Sequence, residues 1–165
     1  GWEDAADAYA VLIDTGLRTG ELFSLADTDV NLKGASLAIR ATNAKSKKAR
    51  GVPLTDRARG ILKSRLGGGK PFGGFTEGSF RHKWDRLKGY MKLADDTGFV
   101  PHALRHTCAS RLVQAGVELL VVKEWLGHSS IQVTMRYAHL APKNLSAARD
   151  VLNRLNHEHA VDAAE

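Results

Sequence analysis

The sequence predicts an α+β fold, mainly α-helical, that carries one small three-stranded antiparallel sheet. Apolar residues recur at helical spacing over most of the chain, which is the first sign. The exception is the second: between Asp27 and Thr55 the pairs Val30 and Leu32, Leu37 and Ile39, and Val52 and Leu54 alternate, with the turn-formers Asn31, Gly34 and Asn43 between them. The third is punctuation, since Gly16, Gly116 and Gly127 stand just past periodic segments, where a left-handed residue ends a helix.

In chain order, Ala5 to Ile13 are good helix formers, Gly16 stops them, and Thr19 is expected to cap the next helical turn, leaving Arg18 at the corner. The three-stranded meander follows. A helix is expected over Asp56 to Leu66, then loops at Gly67-Gly68-Gly69 and Gly73-Gly74, then a helix from about Ser79 to Ala94. Pro101 suits a helix start, and Leu104, Cys108, Leu112 and Ala115 mark a helix over His102 to Gln114 that Gly116 ends. Val117 to Leu126 is amphipathic and closed by Gly127, and a short helical stretch spans Gln132 to Tyr137. A last helix over Leu145 to Leu155 places Leu145, Ala148, Val151, Leu152 and Leu155 on one face that needs a partner surface. Residues 156–165, with His157 and His159, read as a flexible tail without a role. No internal repeat is visible.

At 165 residues the chain is expected to form one domain, 1–165, burying about two-thirds of its unfolded surface. Hydrophobic residues at 43% and charged residues at 25% exclude a disordered or fibrous class. The formal net charge of +6 fits a polyanionic partner without specifying one. A single cysteine, Cys108, can form no intrachain disulfide, and runs such as Leu119 to Val122 are too short to span a bilayer, so a cytoplasmic protein with no membrane association is expected. The first residue is Gly, not Met, which suggests a piece of a longer protein.

Singly, the polar residues have bland readings. Arg18 can be a surface cation, Glu21 a helix-dipole partner, the run Lys45, Lys47, Lys48 and Arg50 a solvated hairpin face, and Tyr137 a half-buried core tyrosine. The segment from Pro101 to Thr107 says more, because helical spacing gathers His102, Arg105 and His106. Two imidazoles beside a guanidinium make a poor core. Zinc is disfavoured there, since no Glu follows the first His and Arg105 would repel a dication; oriented donors for an anion fit better. A phosphate loop at Gly69-Lys70 fails, because Pro71 replaces the required Ser or Thr.

Four blocks then stand together: Thr15-Gly16-Leu17-Arg18-Thr19-Gly20-Glu21-Leu22, His102-Ala103-Leu104-Arg105-His106-Thr107, Leu126-Gly127-His128-Ser129, and Tyr137. In order and spacing they resemble the signature of tyrosine recombinases and phage integrases, over about Trp2 to Pro142. The resemblance implies the catalytic domain of that family and its DNA breaking-rejoining fold. It implies that Arg18 and Arg105 clamp the scissile phosphate, that His102 assists proton transfer from the nucleophile Tyr137, and that His128 hydrogen-bonds a phosphate oxygen. Lys45, or a neighbouring lysine, would protonate the leaving 5′ oxygen. Glu21 and His106 would support these groups, and Lys47, Lys48 and Arg50 would contact DNA. Cys108 and Trp125 read as core. The implied partner is double-stranded DNA, with a homo-tetramer on DNA for a full-length enzyme and a monomer open to this fragment. No cofactor and no metal is implied. The resemblance implies an amino-terminal core-binding domain in a full-length enzyme, which these 165 residues are expected not to include. Three other readings stay open: a non-catalytic helix-turn-helix module over Ala109 to Tyr137, a type IB topoisomerase, and a metal-dependent nuclease.

Overall fold

The computed structural model describes residues 1–42, 48–142, 146 and 149–154. Helix α1 (Trp2–Thr15) buries Ala5, Ala8, Val11, Leu12 and Thr15 on one face. These small and branched side chains let α1 lie deep, packed against α3 (Asp56–Arg65) and α5 (His102–Gln114). Between α1 and α3 come α2 (Thr19–Ser24), a single turn at Asp27–Asp29, and strands β1 (Val30–Asn31), β2 (Ser36–Ile39) and β3 (Arg50–Pro53). The sheet is antiparallel in the order β1-β2-β3, with Leu37 opposite both Val30 and Val52. The alternation works as expected: Leu37, Ile39 and Val52 face the core, whereas Ala38 and Gly51 face solvent.

After α3 follow α4 (Glu77–Tyr90), α5, α6 (Leu119–Leu126), α7 (Ile131–Met135) and a turn at Ala138–Leu140. Thr55 and Thr76 cap α3 and α4, their hydroxyls accepting the amides of Ala58 and Ser79. The Thr76 cap explains why α4 begins two residues ahead of the expected Ser79, and it ends at Tyr90, short of Ala94. Thr19, expected as a cap, is instead the first residue of α2. Arg18 takes the cap position in extended geometry, and the Glu21 carboxylate reaches back to accept its N–H at 2.9 Å.

Two hydrophobic clusters meet at Trp125. The larger joins α1 to the sheet, to α3 and to an aromatic group of Phe72, Phe75, Phe80 and Trp84. The smaller gathers Cys108, Ala109, Val113, Val122, Leu126 and Tyr137. Trp125 ties them by donating Nε1–H to Thr15 O at 3.0 Å. Of the last predicted helix, Ser146 and residues 149–154 are described and helical, with Val151 and Leu152 exposed; Leu145, Ala148 and Leu155 lie outside the described residues, as does the 156–165 tail. Among the described residues no helix is long and apolar enough to cross a membrane.

Gly16 joins the two clusters. Its φ of +64° ends α1, and a Cβ there would lie 2.5 Å from Leu126 Cδ2 and 3.1 Å from Cys108 Sγ. Left-handed strain and overpacking add, so Gly16→Ala should cost about 2–4 kcal/mol, read as a lowered urea midpoint at unchanged slope.

Candidate active site

The site begins with a buried carboxylate. Glu21 is 2% exposed and accepts from Arg18 Nη1 at 3.0 Å and from Arg50 Nη1 and Nη2 at 3.0 and 2.8 Å, beyond the Arg18 amide. Burial works to raise its pKa, but the Arg50 and Arg18 hydrogen bonds outweigh burial and hold it below the usual carboxylate range.

Arg50, expected to contact DNA, is turned inward toward Glu21. Its side chain is 9% exposed, its guanidinium is committed to Glu21, and Nε–H donates to Trp125 O at 3.3 Å. It also lies against Gly127, where a Cβ would sit 2.8 Å from Arg50 Cδ. Strand alternation carried the signal, because Arg50 shares the inward face with Val52. Lys48 is exposed and lines an open cavity of about 210 Å³ with Lys123, Gly127, His128 and Ser129. Lys45 and Lys47 lie outside the described residues.

Arg105 is 2% exposed and falls on the inward face of α5 with Ala109 and Val113. It donates to Gly16 O and Leu126 O, both at 2.5 Å, so the carboxyl ends of α1 and α6 fix its fork. Burial, with the nearby Arg18 charge, brings its pKa down to about 10, which leaves it charged at neutral pH. Around it stand Arg18 and Arg50, whose charges the Glu21 carboxylate opposes. Among the described residues these three guanidiniums outnumber the Glu21 carboxylate, a surplus of positive charge that suits an anion.

The imidazoles border this surplus. His128 follows Gly127, whose left-handed φ of +66° closes α6, and its Nδ1 pairs with Thr134 Oγ1 at 2.8 Å. Thr134 is fully buried, and nothing in the sequence marks it; its hydroxyl fixes the orientation of the His128 ring and leaves Nε2 free of this contact. Burial, then Arg105, Arg18 and Arg50, push the His128 pKa down to about 4. His102, exposed at the start of α5, meets His106 edge-on with ring centroids 4.9 Å apart. Burial and neighbouring cations lower both pKa values.

Tyr137 is 7% exposed, and its Oη lies 2.5 Å from His106 Nδ1. Burial raises its pKa, against the opposing charges of Arg136 and Arg105. The fold thus brings Arg18, His102, Arg105, His106, His128 and Tyr137 to one place. Among the described residues no group of three or more His, Cys, Asp or Glu could hold a metal ion.

Depressed imidazoles make stability fall with acid. The unfolded chain takes up protons near pH 6.5, whereas folded His128 resists until about pH 4, so stability present above pH 6.5 is lost as pH falls through that window. Urea midpoints measured from pH 7 to pH 4 should decline, and less steeply in His128→Asn.

Residues 4–144 match the sequence model of the phage integrase family. The chain is 37% identical over 134 residues, 80% of its length, to the integrase of Haemophilus phage HP1, and 33% identical over 150 residues, 82% of its length, to tyrosine recombinase XerD of Yersinia pestis. It spans 37% and 49% of those two proteins. The catalytic domain of bacteriophage HP1 integrase superposes with a TM-score of 0.71 at 29% identity, covering 90% of this chain and 89% of that one. The Tn1549 transposon integrase, solved in complex with circular intermediate DNA, gives 0.68 at 25% identity over 93% of this chain and 60% of that one. With its four sequence blocks drawn into one cationic cluster and its fold shared with those domains, the chain belongs to the phage integrase family of tyrosine recombinases.

Proposed function

We propose that the chain is the catalytic domain of a site-specific DNA recombinase that cleaves and rejoins strands through a 3′-phosphotyrosyl intermediate. The observation that carries this is the excess of positive charge that Arg18, Arg50 and Arg105 hold over the Glu21 carboxylate, in the cluster that Tyr137 borders. Such forks suit the non-bridging oxygens of a phosphodiester and the added charge of its pentacoordinate transition state. His128 Nε2–H would give one more donor to a phosphate oxygen, and His102 would assist proton movement at the phenol. Tyr137 attacks in line, the 5′ oxygen leaves with a proton from Lys45 or a neighbouring lysine, and a 5′-hydroxyl later reverses the attack. The bond energy stays in the adduct, so rejoining needs no nucleotide cofactor.

Double-stranded DNA is the proposed partner, and cytoplasmic DNA the setting. The Tn1549 relative was solved with DNA, which supports this reading. The exposed Val151 and Leu152 suit docking onto a neighbouring protomer in a DNA-bound tetramer, with the isolated chain monomeric. We expect the chain alone to bind duplex weakly, with affinity falling steeply as salt rises.

A nicked half-site duplex tests the reaction class, because the short strand diffuses away and traps the adduct. In low salt with chelator, an SDS-resistant protein–DNA complex is expected. Tight binding without any adduct would favour a helix-turn-helix module, and cleavage only with divalent cation a nuclease. Relaxation of any supercoiled plasmid without synapsis would favour a topoisomerase.

A further inference from the structure

The phenol is held by an imidazole to which the family resemblance gives only a supporting part. His106 Nδ1 lies 2.5 Å from Tyr137 Oη, while His102 touches His106 ring to ring. We propose that His106 is a catalytic residue, taking the proton from Tyr137 Oη as the phenol attacks phosphorus and returning it when the phosphotyrosyl bond breaks. This rests on the strand-cleavage reading above.

Both ends of the hydrogen bond are fixed by separate elements. His106 follows Arg105 on α5, and Arg105 is pinned to Gly16 O and Leu126 O. Tyr137 is placed by its own amide, which donates to Thr134 O, and by its carbonyl, which accepts from the Leu140 amide; its ring packs in the cluster of Cys108, Val122 and Leu126. The groups that face His106 are Tyr137 and Arg136 from beyond α7, and His102 and Arg105 from its own helix. Burial and the Arg136 and Arg105 charges favour a neutral imidazole, and burial favours a protonated phenol, so the phenol O–H donates and Nδ1 accepts.

A neutral imidazole beside two cations is a weak base at rest. It becomes an effective one as the Oη–phosphorus bond forms, because the phenol proton then grows acidic. In the forward step the Oη–phosphorus bond forms, the bond from phosphorus to the 5′ oxygen breaks, and the Oη proton moves to Nδ1. The leaving oxygen takes its proton from the lysine. Rejoining runs the same transfers backwards, with the His106 imidazolium protonating the departing phenolate. His102 then acts through His106 as a positioning residue.

The test is single-turnover cleavage of the nicked half-site. His106→Asn sets an amide oxygen near the place of Nδ1, which accepts the phenol hydrogen bond but cannot hold a proton. Cleavage should slow by about 100-fold or more, with duplex binding unchanged. Installing a fluorinated tyrosine of lower phenol pKa at position 137 should restore most of that loss in His106→Asn and change the parent rate little. The acid limb of the pH–rate profile should vanish in His106→Asn and persist in His102→Asn. His106→Gln serves as the second variant if Asn does not fold. A wild-type rate in either folded variant, or a fluorinated tyrosine that leaves the gap unchanged, would overturn the proposal while the cleavage reading stood. Absence of adduct from the parent chain would sink both.

Discussion

Replacing Tyr137 with Phe should lower adduct formation by about 10⁴-fold or more, because it removes the oxygen that attacks phosphorus. The same change should cost the fold only about 1 kcal/mol. The Tyr137 ring is a packed member of the smaller cluster, and Phe keeps that packing while removing one partly buried hydrogen bond to His106. A gel-shift titration and a urea curve measured beside the cleavage assay separate the two effects. Binding should survive, the urea midpoint should move little, and covalent product should disappear.

The largest stability effect should come from Glu21. Its carboxylate compensates Arg50, which is nearly sealed, and Arg18, so Glu21→Ala leaves a buried charge unpaired and should cost about 3–5 kcal/mol in urea denaturation. Glu21→Gln should fall between, since an amide accepts hydrogen bonds without the charge. The double change Glu21→Leu with Arg50→Met removes both charges and should recover much of the lost stability. It should not recover cleavage. Without the carboxylate, Arg18 loses the hydrogen bonds on its amide and on Nη1 that hold it at the corner of α2. Stability restored with activity still absent would therefore mark Glu21 as the residue that aims Arg18.

Local chemistry made much of this legible in the sequence. The span of α5 from His102 to Gln114 follows from a proline at its start and a glycine beyond its end, and the left-handed stops at Gly16 and Gly127 need only a residue without Cβ. The sheet followed from alternation of Leu37 with Ile39 and from Val52. What escaped depends on tertiary closure. A lysine and arginine run on a hairpin reads alike whether it faces solvent or a carboxylate, so the run alone does not set Arg50 apart from the lysines, although it shares the inward face with Val52. Thr134 carries no signal until α7 folds against the loop after α6 and brings its hydroxyl to His128. The choice between His102 and His106 as the partner of the phenol likewise depends on how the segment after α7 packs on α5.

The most direct measurement is to digest the covalent complex and identify, by tandem mass spectrometry, which side chain carries the nucleotide and through which end. A phosphodiester from Tyr137 Oη to a 3′ end, with a free 5′-hydroxyl on the departing strand, is the predicted result. Linkage through any other residue, or to a 5′ end, would contradict it.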